Sequence, residues 1–233
     1  MIVNDEGKIR RIKVERERID VMESILDHND KIADETNIAL NKSGIYAINV
    51  MGAPGAGKTS VIISIIKELT NLKTYVVEGD IESDIDTKAL TALGIDTIQI
   101  NTHGACHLDA PTISSALKEF KLGEPGVMFI ENIGNLVCPA EFQIGEHIKM
   151  LIVTVTEGSD KPYKYPLAFE KADIIIINKW DLIPYVNFDE EYFMSGVRAL
   201  NPLALVVKAS STNNTGFKEV TEYIRKNTKL LCV

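Results

Sequence analysis

The octapeptide Gly52-Ala53-Pro54-Gly55-Ala56-Gly57-Lys58-Thr59 stands between an apolar run at 46–51 and an apolar-periodic segment at 60–69. That order predicts a strand, a glycine-rich turn and a helix. In such a turn the backbone around Gly52, Ala53, Gly55, Ala56 and Gly57 closes its N–H groups on phosphates at a helix N-terminus. Lys58 supplies a point charge, and the hydroxyl of Thr59, with Ser60 next to it, offers an oxygen ligand for magnesium. The chain is therefore expected to bind a nucleoside triphosphate. A fortuitous glycine turn is the competing account, and it leaves both the strand before and the helix after unexplained.

Outward from this stretch, short apolar runs recur at 74–77, 97–100, 127–130, 151–155, 174–177 and 203–207, most of them separated by helix-like segments. This is the pattern of a parallel sheet wrapped by helices. The expected fold is α/β, a doubly wound and mainly parallel sheet of the P-loop NTPase type, with function at the carboxyl ends of the strands. Ahead of the sheet, Ile19, Met22, Ile25, Leu26, Ile32, Ile38 and Leu40 recur at helical spacing and predict an amphipathic helix over 14–40. His28-Asn29 is a candidate break and Gly44 follows its end. Residues 1–43 are set apart as an N-terminal helical extension and 44–233 as the P-loop domain, the two forming one folded unit.

Bulk composition agrees with one large soluble α/β domain: 233 residues, 45% hydrophobic and 25% charged. A formal net charge of −8 argues against nucleic acid or an anionic membrane as partner. The first 18 residues are charged where a secretory signal would be apolar, and no apolar run approaches a membrane span, so a cytoplasmic location is expected. The three cysteines, Cys106, Cys138 and Cys232, are no disulfide framework; as thiols they are free to serve as ligands.

The identity of the base is read from Asn178-Lys179-Trp180-Asp181, directly after the run 174–177. A carboxylate at a strand end accepts from the N1–H and exocyclic amine of guanine and repels the N1 acceptor of adenine. Capping of the next turn is the default role for Asp181 taken alone; with Lys58 in the same sheet, GTP and GDP become the expected ligands. Ser210-Ser211-Thr212, after the last strand, is placed either to complete the base pocket through its amides or to cap a helix. The run 127–130 ends in Glu131, with Gly134 three positions later. The carboxylate suits magnesium held through water, and the glycine lets its amide approach a γ-phosphate. Asp80, Asp84 and Asp86 follow the second strand where a first switch is expected. Asp80 and Asp86 are favoured for magnesium or water positioning, against a solvated acidic turn in which Asp84 caps a helix. Lys58, Asp80, Asp86, Glu131 and Gly134 are thus the expected catalytic set, with Thr59, Asp80 and Glu131 toward magnesium. Hydrolysis in such a site is positioning plus charge neutralisation, so the intrinsic rate is expected to be slow.

Cys106 and His107 are adjacent in a strand-end loop, and Cys138 lies four residues after Gly134. Two thiolates and an imidazole make a soft donor set for nickel or zinc with one coordination position open, which suits transfer more than structure. Buried small cysteines and a satisfied histidine are the bland alternative. Proximity to the segment that should sense the γ-phosphate favours the metal. His103 and His147 stand as outer ligands of lower rank. Lys161 and Lys164 are placed either to reach the nucleotide or a partner subunit, or to form a solvated charge pair.

The blocks Gly-Ala-Pro-Gly-Ala-Gly-Lys-Thr, Val-Glu-Gly-Asp, Cys106-His107-Leu108-Asp109-Ala110, Glu131-Asn132-Ile133-Gly134-Asn135-Leu136-Val137-Cys138-Pro139-Ala140 and Asn178-Lys179-Trp180-Asp181 occur in the order seen in the nickel-insertion GTPases of [NiFe]-hydrogenase maturation, the HypB family. The chain resembles that family from about residue 30 onward. The resemblance implies a dimerising, metal-regulated P-loop fold, nucleotide-linked homodimers with the metal at the interface, and nickel delivery to a hydrogenase large-subunit precursor alongside a nickel metallochaperone. Many bacterial members carry an extra N-terminal cysteine motif; the start Met1-Ile2-Val3-Asn4 has no such ligands, so a second, tight nickel site is not expected here. The urease accessory GTPases, whose metal motif is Cys-Pro-His, resemble the chain less. A P-loop small-molecule kinase and a passive metal-binding protein are the rivals from other classes.

Overall fold

The computed structural model describes residues 11–80, 90, 93–102, 104–120 and 122–231. Strands β1 (Ile45–Gly52), β2 (Lys73–Asp80), β3 (Asp96–Asn101), β4 (Gly126–Glu131), β5 (Ile148–Thr154), β6 (Ile174–Asn178) and β7 (Leu205–Lys208) form one sheet. Their order is β3-β2-β4-β1-β5-β6-β7, and every neighbouring pair is parallel. The helices are α1 (Arg11–Lys42), α2 (Lys58–Glu68), α3 (Ala110–Glu119), α4 (Cys138–Glu141), α5 (Lys161–Lys164), α6 (Pro166–Lys171), α7 (Glu190–Leu200) and α8 (Lys218–Leu231).

Alternation along the strands builds a core on each face. From β1, Ile48 and Val50 turn toward the side covered by Val61, Ile62 and Ile65 of α2 and Val220 and Ile224 of α8. Ala47 turns the other way, toward Leu40 of α1 and Ile113 of α3. Met51 shares that second face with Phe169 of α6 and Phe193 and Val197 of α7. Each such fully buried side chain contributes about 1.5–3 kcal/mol, and a slip of one residue would send every one of them to the opposite face. Because β1 lies between β4 and β5, with earlier strands to one side and later ones to the other, its carboxyl end is the topological switch point, where a crevice opens.

Three elements depart from the sequence expectation. Helix α1 is continuous through His28-Asn29. Asn29 does not cap its own backbone; its buried carboxamide donates to Gln143 O at 2.8 Å and accepts from Ala110 N at 2.9 Å, so the residue that reads as a breaker is spent on tertiary contacts. The last strand starts at Leu205 instead of residue 203, because Asn201 Oδ1 accepts from Leu203 N and Ala204 N and holds them in a loop that leaves Leu203 92% exposed. The fifth strand begins earlier, at Ile148, and ends at Thr154, where a capping box with Glu157 turns residues 155–157 into a 3-10 helix. Among the described residues no helix is long and apolar enough to cross a membrane.

Candidate functional site

The turn after β1 lies in the central crevice. Gly55 and Gly57 have φ of 75° and 84°, in the left-handed region that a Cβ disfavours, and Gly57 directly precedes α2. Lys58 and Thr59 open that helix, beside a cleft of about 390 Å³ also lined by Ser60, Glu78, Glu131 and Gly134. Thr59 Oγ1 donates to Glu131 Oε1 at 3.1 Å. In the register of β2 against β4, Glu78 lies opposite Glu131, and the two residues are only 2% and 7% exposed. A hydroxyl and two buried carboxylates are hard oxygen donors, and their shared negative charge is costly away from a cation, so the residues fit a magnesium ion. Glu78 is the member that the sequence did not single out. Its signal was an acidic residue directly after the apolar run of β2.

Gly134 bears directly on the phosphate turn. A Cβ there would sit 2.9 Å from Pro54 Cγ and 3.0 Å from Pro54 Cα, so the glycine is what lets the segment after β4 lie against the turn. Gly52 pairs with Asn135 in an antiparallel bridge. The sensor segment is therefore packed on the phosphate turn at two successive positions.

On the other flank, the buried Asn178 joins the phosphate turn to the loop after β7. Its Nδ2 donates to Ala56 O at 3.0 Å, and its Oδ1 accepts from Ser211 N at 3.1 Å. Lys179 adopts φ 57° and its Nζ donates to Gly55 O at 2.8 Å. Ser210 Oγ donates to Asp181 Oδ1 at 2.5 Å and accepts from Asn213 N at 3.1 Å. Ser210 and Ser211 lie in the loop between β7 and α8, which starts further on, at Lys218.

Cys106, His107 and Cys138 converge. Their ligand atoms all lie within 4.8 Å of one another, with the Cys106 sulfur 3.3 Å from His107 Nδ1 and 3.3 Å from the Cys138 sulfur. The hydrogen bond to Cys138, then burial, pushes the Cys106 thiol above its ordinary range, while burial pushes the His107 imidazole down and so favours the neutral, metal-binding form. Phe142 lies over the His107 ring at a centroid distance of 4.1 Å. Asn135 Nδ2 donates to Cys106 O at 3.1 Å. Asn132 Oδ1 accepts from Leu108 N at 3.0 Å while its Nδ2 donates to Asn49 Oδ1 at 3.1 Å. These amides, missed in the sequence, splice the Cys106 loop onto the segment that carries Glu131 and Cys138. Asn49 was visible as a lone amide in an apolar strand.

The remaining expectations divide. Asp80 ends β2, but its carboxylate, Asp84, Asp86, His103 and Cys232 lie outside the described residues. His147 is not near the metal ligands: its Nδ1 accepts from Ala47 N at 2.9 Å and its Nε2 faces Asn41 Oδ1 at 3.2 Å. Lys164 forms the solvated pair, 2.5 Å from Asp160. Lys161 is more enclosed, 3.5 Å from Glu157 and over the Tyr165 ring.

The family model described as the CobW/HypB/UreG nucleotide-binding domain matches residues 46–208. The hydrogenase maturation factor HypB of Azotobacter vinelandii is 39% identical over 207 residues, covering 88% of this chain and 68% of that one. This chain belongs to the HypB family. The crystal structure of HypB from Helicobacter pylori in complex with nickel superposes with a TM-score of 0.82 at 32% identity, over 87% of this chain and 95% of that one. HypB from Archaeoglobus fulgidus gives 0.80 at 35% identity, over 87% and 100%. The all-parallel sheet and its phosphate turn are thus the P-loop architecture of HypB.

Proposed function

We propose that this chain is a metal-regulated GTP hydrolase that assists nickel insertion into a [NiFe]-hydrogenase large-subunit precursor. It acts in the cytoplasm as a nucleotide- and metal-linked homodimer and receives nickel from a metallochaperone. Its relatives are named hydrogenase maturation factors, and one was crystallised with nickel. The observation that carries the proposal is that residues 131–138 form one segment with Glu131 in the nucleotide cleft and Cys138 in the metal cluster, packed on the phosphate turn by Gly134 and tied to Cys106 by Asn135.

The residues divide the work. The amides of 52–57 and the Lys58 ammonium bind the phosphates, and Asp181, steadied by Ser210, reads the guanine edge. Thr59 and Glu131, with Glu78 beside them and Asp80 as a further candidate, would hold magnesium, which when bound neutralises charge on the phosphates. Among the described residues lining the cleft none is an arginine, consistent with slow unassisted hydrolysis. Gly134 holds the sensor segment against the turn, so loss of the γ-phosphate would loosen it and move Cys138 relative to Cys106 and His107. Residues 1–43 act as an extension of the domain 44–233 within one unit, supported by the bonds of Asn29 and Asn37 to the loop before β5.

The test is a titration of nickel, and separately zinc, with GDP or a non-hydrolysable GTP analogue bound, following affinity and mass, with Cys106→Ala and Cys138→Ala as controls. A nucleotide-dependent affinity and dimer, lost in both variants, is expected. Reciprocity requires nickel to change nucleotide or dimer affinity by the matching factor. Equal affinity and mass in both nucleotide states would refute the coupling.

A further inference from the structure

A buried charge pair that belongs to neither site lies beneath the metal-bearing segment. The side chains of Glu146 and Lys149 are 5% and 11% exposed, and Glu146 Oε1 lies 2.6 Å from Lys149 Nζ. The pair reaches outward at both ends. Lys149 Nζ donates to Phe142 O at 2.7 Å and to Pro139 O at 3.4 Å, so its three N–H groups face one carboxylate and two carbonyls. Those carbonyls belong to the short helix that Cys138 begins, and Phe142 at its end supplies the ring that lies over His107.

Glu146 carries the connection the other way. Its Oε1 accepts from Asn49 Nδ2 at 3.2 Å and its Oε2 from Ile144 N at 2.7 Å. Asn49 Oδ1 in turn accepts from Asn132, whose own Oδ1 holds Leu108 N beside His107. One buried polar chain thus grips the segment at Asn132 and again at residues 139–142, with Cys138 between the grips.

Burial of an ammonium and a carboxylate costs several kcal/mol per ion, and apolar residues of similar volume often serve stability as well or better. The other residues of β5 are apolar up to Thr154. A methionine at 149 would fill the strand, but it would not gather two carbonyls. We propose that Lys149, balanced by Glu146, is a positioning residue for the soft-metal site: it fixes the turn that presents Cys138 and Phe142 to Cys106 and His107. The inference rests on the nickel site proposed above and extends it to residues that touch neither metal nor nucleotide.

The experiment is a nickel chloride titration of the full chain, following affinity and the thiolate-to-nickel charge-transfer band, with GDP affinity and thermal unfolding measured in parallel. The variants are Lys149→Met, the double variant Glu146→Gln/Lys149→Met, and Cys138→Ser. Lys149→Met alone leaves a buried carboxylate without its cation, so it is expected to lose stability; the double variant removes both charges and restores most of it. In the double variant nickel affinity is expected to remain at least about tenfold weaker with an altered band, as for residues that orient metal ligands. GDP affinity should stay within about threefold, as for sites without shared partners. Parent-like nickel affinity and band in a double variant of parent-like stability would overturn the positioning role while leaving the metal site standing. A parent that shows no thiolate-to-nickel band, indistinguishable from Cys138→Ser, would overturn the metal site and this inference together.

Discussion

Gly57→Ala tests whether the phosphate turn and the base-side loop act as one unit. Gly57 has φ 84°, and a Cβ in that region costs about 1–2 kcal/mol. The added carbon would lie 2.8 Å from Asn178 Nδ2, so one of the two has to shift. Asn178 is fully buried, and its carboxamide donates to Ala56 O and accepts from Ser211 N. Displacing it forfeits two buried hydrogen bonds at about 1 kcal/mol each, which brings the total to about 3–4 kcal/mol. Gly94→Ala is the control, because Gly94 has φ 75° and a methyl group there would meet nothing within 4 Å among the described residues, so it carries the backbone strain alone. In equilibrium urea unfolding, Gly57→Ala should lose roughly twice the free energy lost by Gly94→Ala. In a fluorescent-GDP titration it should bind about 100-fold more weakly, about 2.8 kcal/mol at about 1.4 kcal/mol per tenfold and so most of the loss assigned to the turn, while Gly94→Ala binds normally. If the two variants unfold alike and GDP affinity survives, Asn178 is not the clamp that joins the two loops.

Gly134→Ala places a Cβ 2.9 Å from Pro54 Cγ; nickel binding should persist, but the ratio of nickel affinities between GTP-analogue and GDP states should fall toward one in paired titrations. Asn29→Ala removes a buried carboxamide that holds Gln143 O and Ala110 N, and should lower the unfolding free energy by about 2 kcal/mol in urea. His147 accepts Ala47 N at Nδ1, which needs a neutral ring, and burial lowers its pKa. A base whose folded-state pKa is depressed leaves stability intact above its unfolded value near 6.5 and loses it as pH falls below, so the urea midpoint should decline as pH falls below about 6.5, and His147→Gln should flatten that decline.

The sheet was legible because its strands carry apolar runs, of which the central β1, β4, β5 and β6 are buried along their whole length, and the phosphate turn because its glycines, lysine and threonine have a fixed order along the chain. The metal triad was legible as residue types, not as geometry: Cys106 and Cys138 are 32 positions apart, and the parallel order β3-β2-β4 brings the loops after β3 and β4 to the same edge of the sheet. What stayed hidden were polar residues inside apolar runs or next to them. Asn49, Glu78 and Lys149 read as interruptions of strands, yet each is buried and turned to a neighbouring element. Asn29 failed in the opposite sense. Its local preference for ending a helix lost to two tertiary hydrogen bonds worth about 1 kcal/mol each.

The placement of the triad also bears on why one segment serves two ligands. Cys106 and Val137 are exposed while Asn132 and Leu136 are buried, so the segment is anchored along its inner side and presents its donor atoms outward. Three donors leave a coordination position open, and a second copy can reach an outward-facing one. On the proposed reading, a shift at Gly134 on loss of a γ-phosphate would reach Cys138 over only four residues, with Asn135 passing the same shift to the Cys106 carbonyl. His107 is tied to the same segment, through the Phe142 ring over it and the Leu108 amide bond to Asn132, so on the proposed reading all three donors would follow that shift. On that reading release of nickel would not require any element to unfold, because a small shift of one segment would reach all three donors.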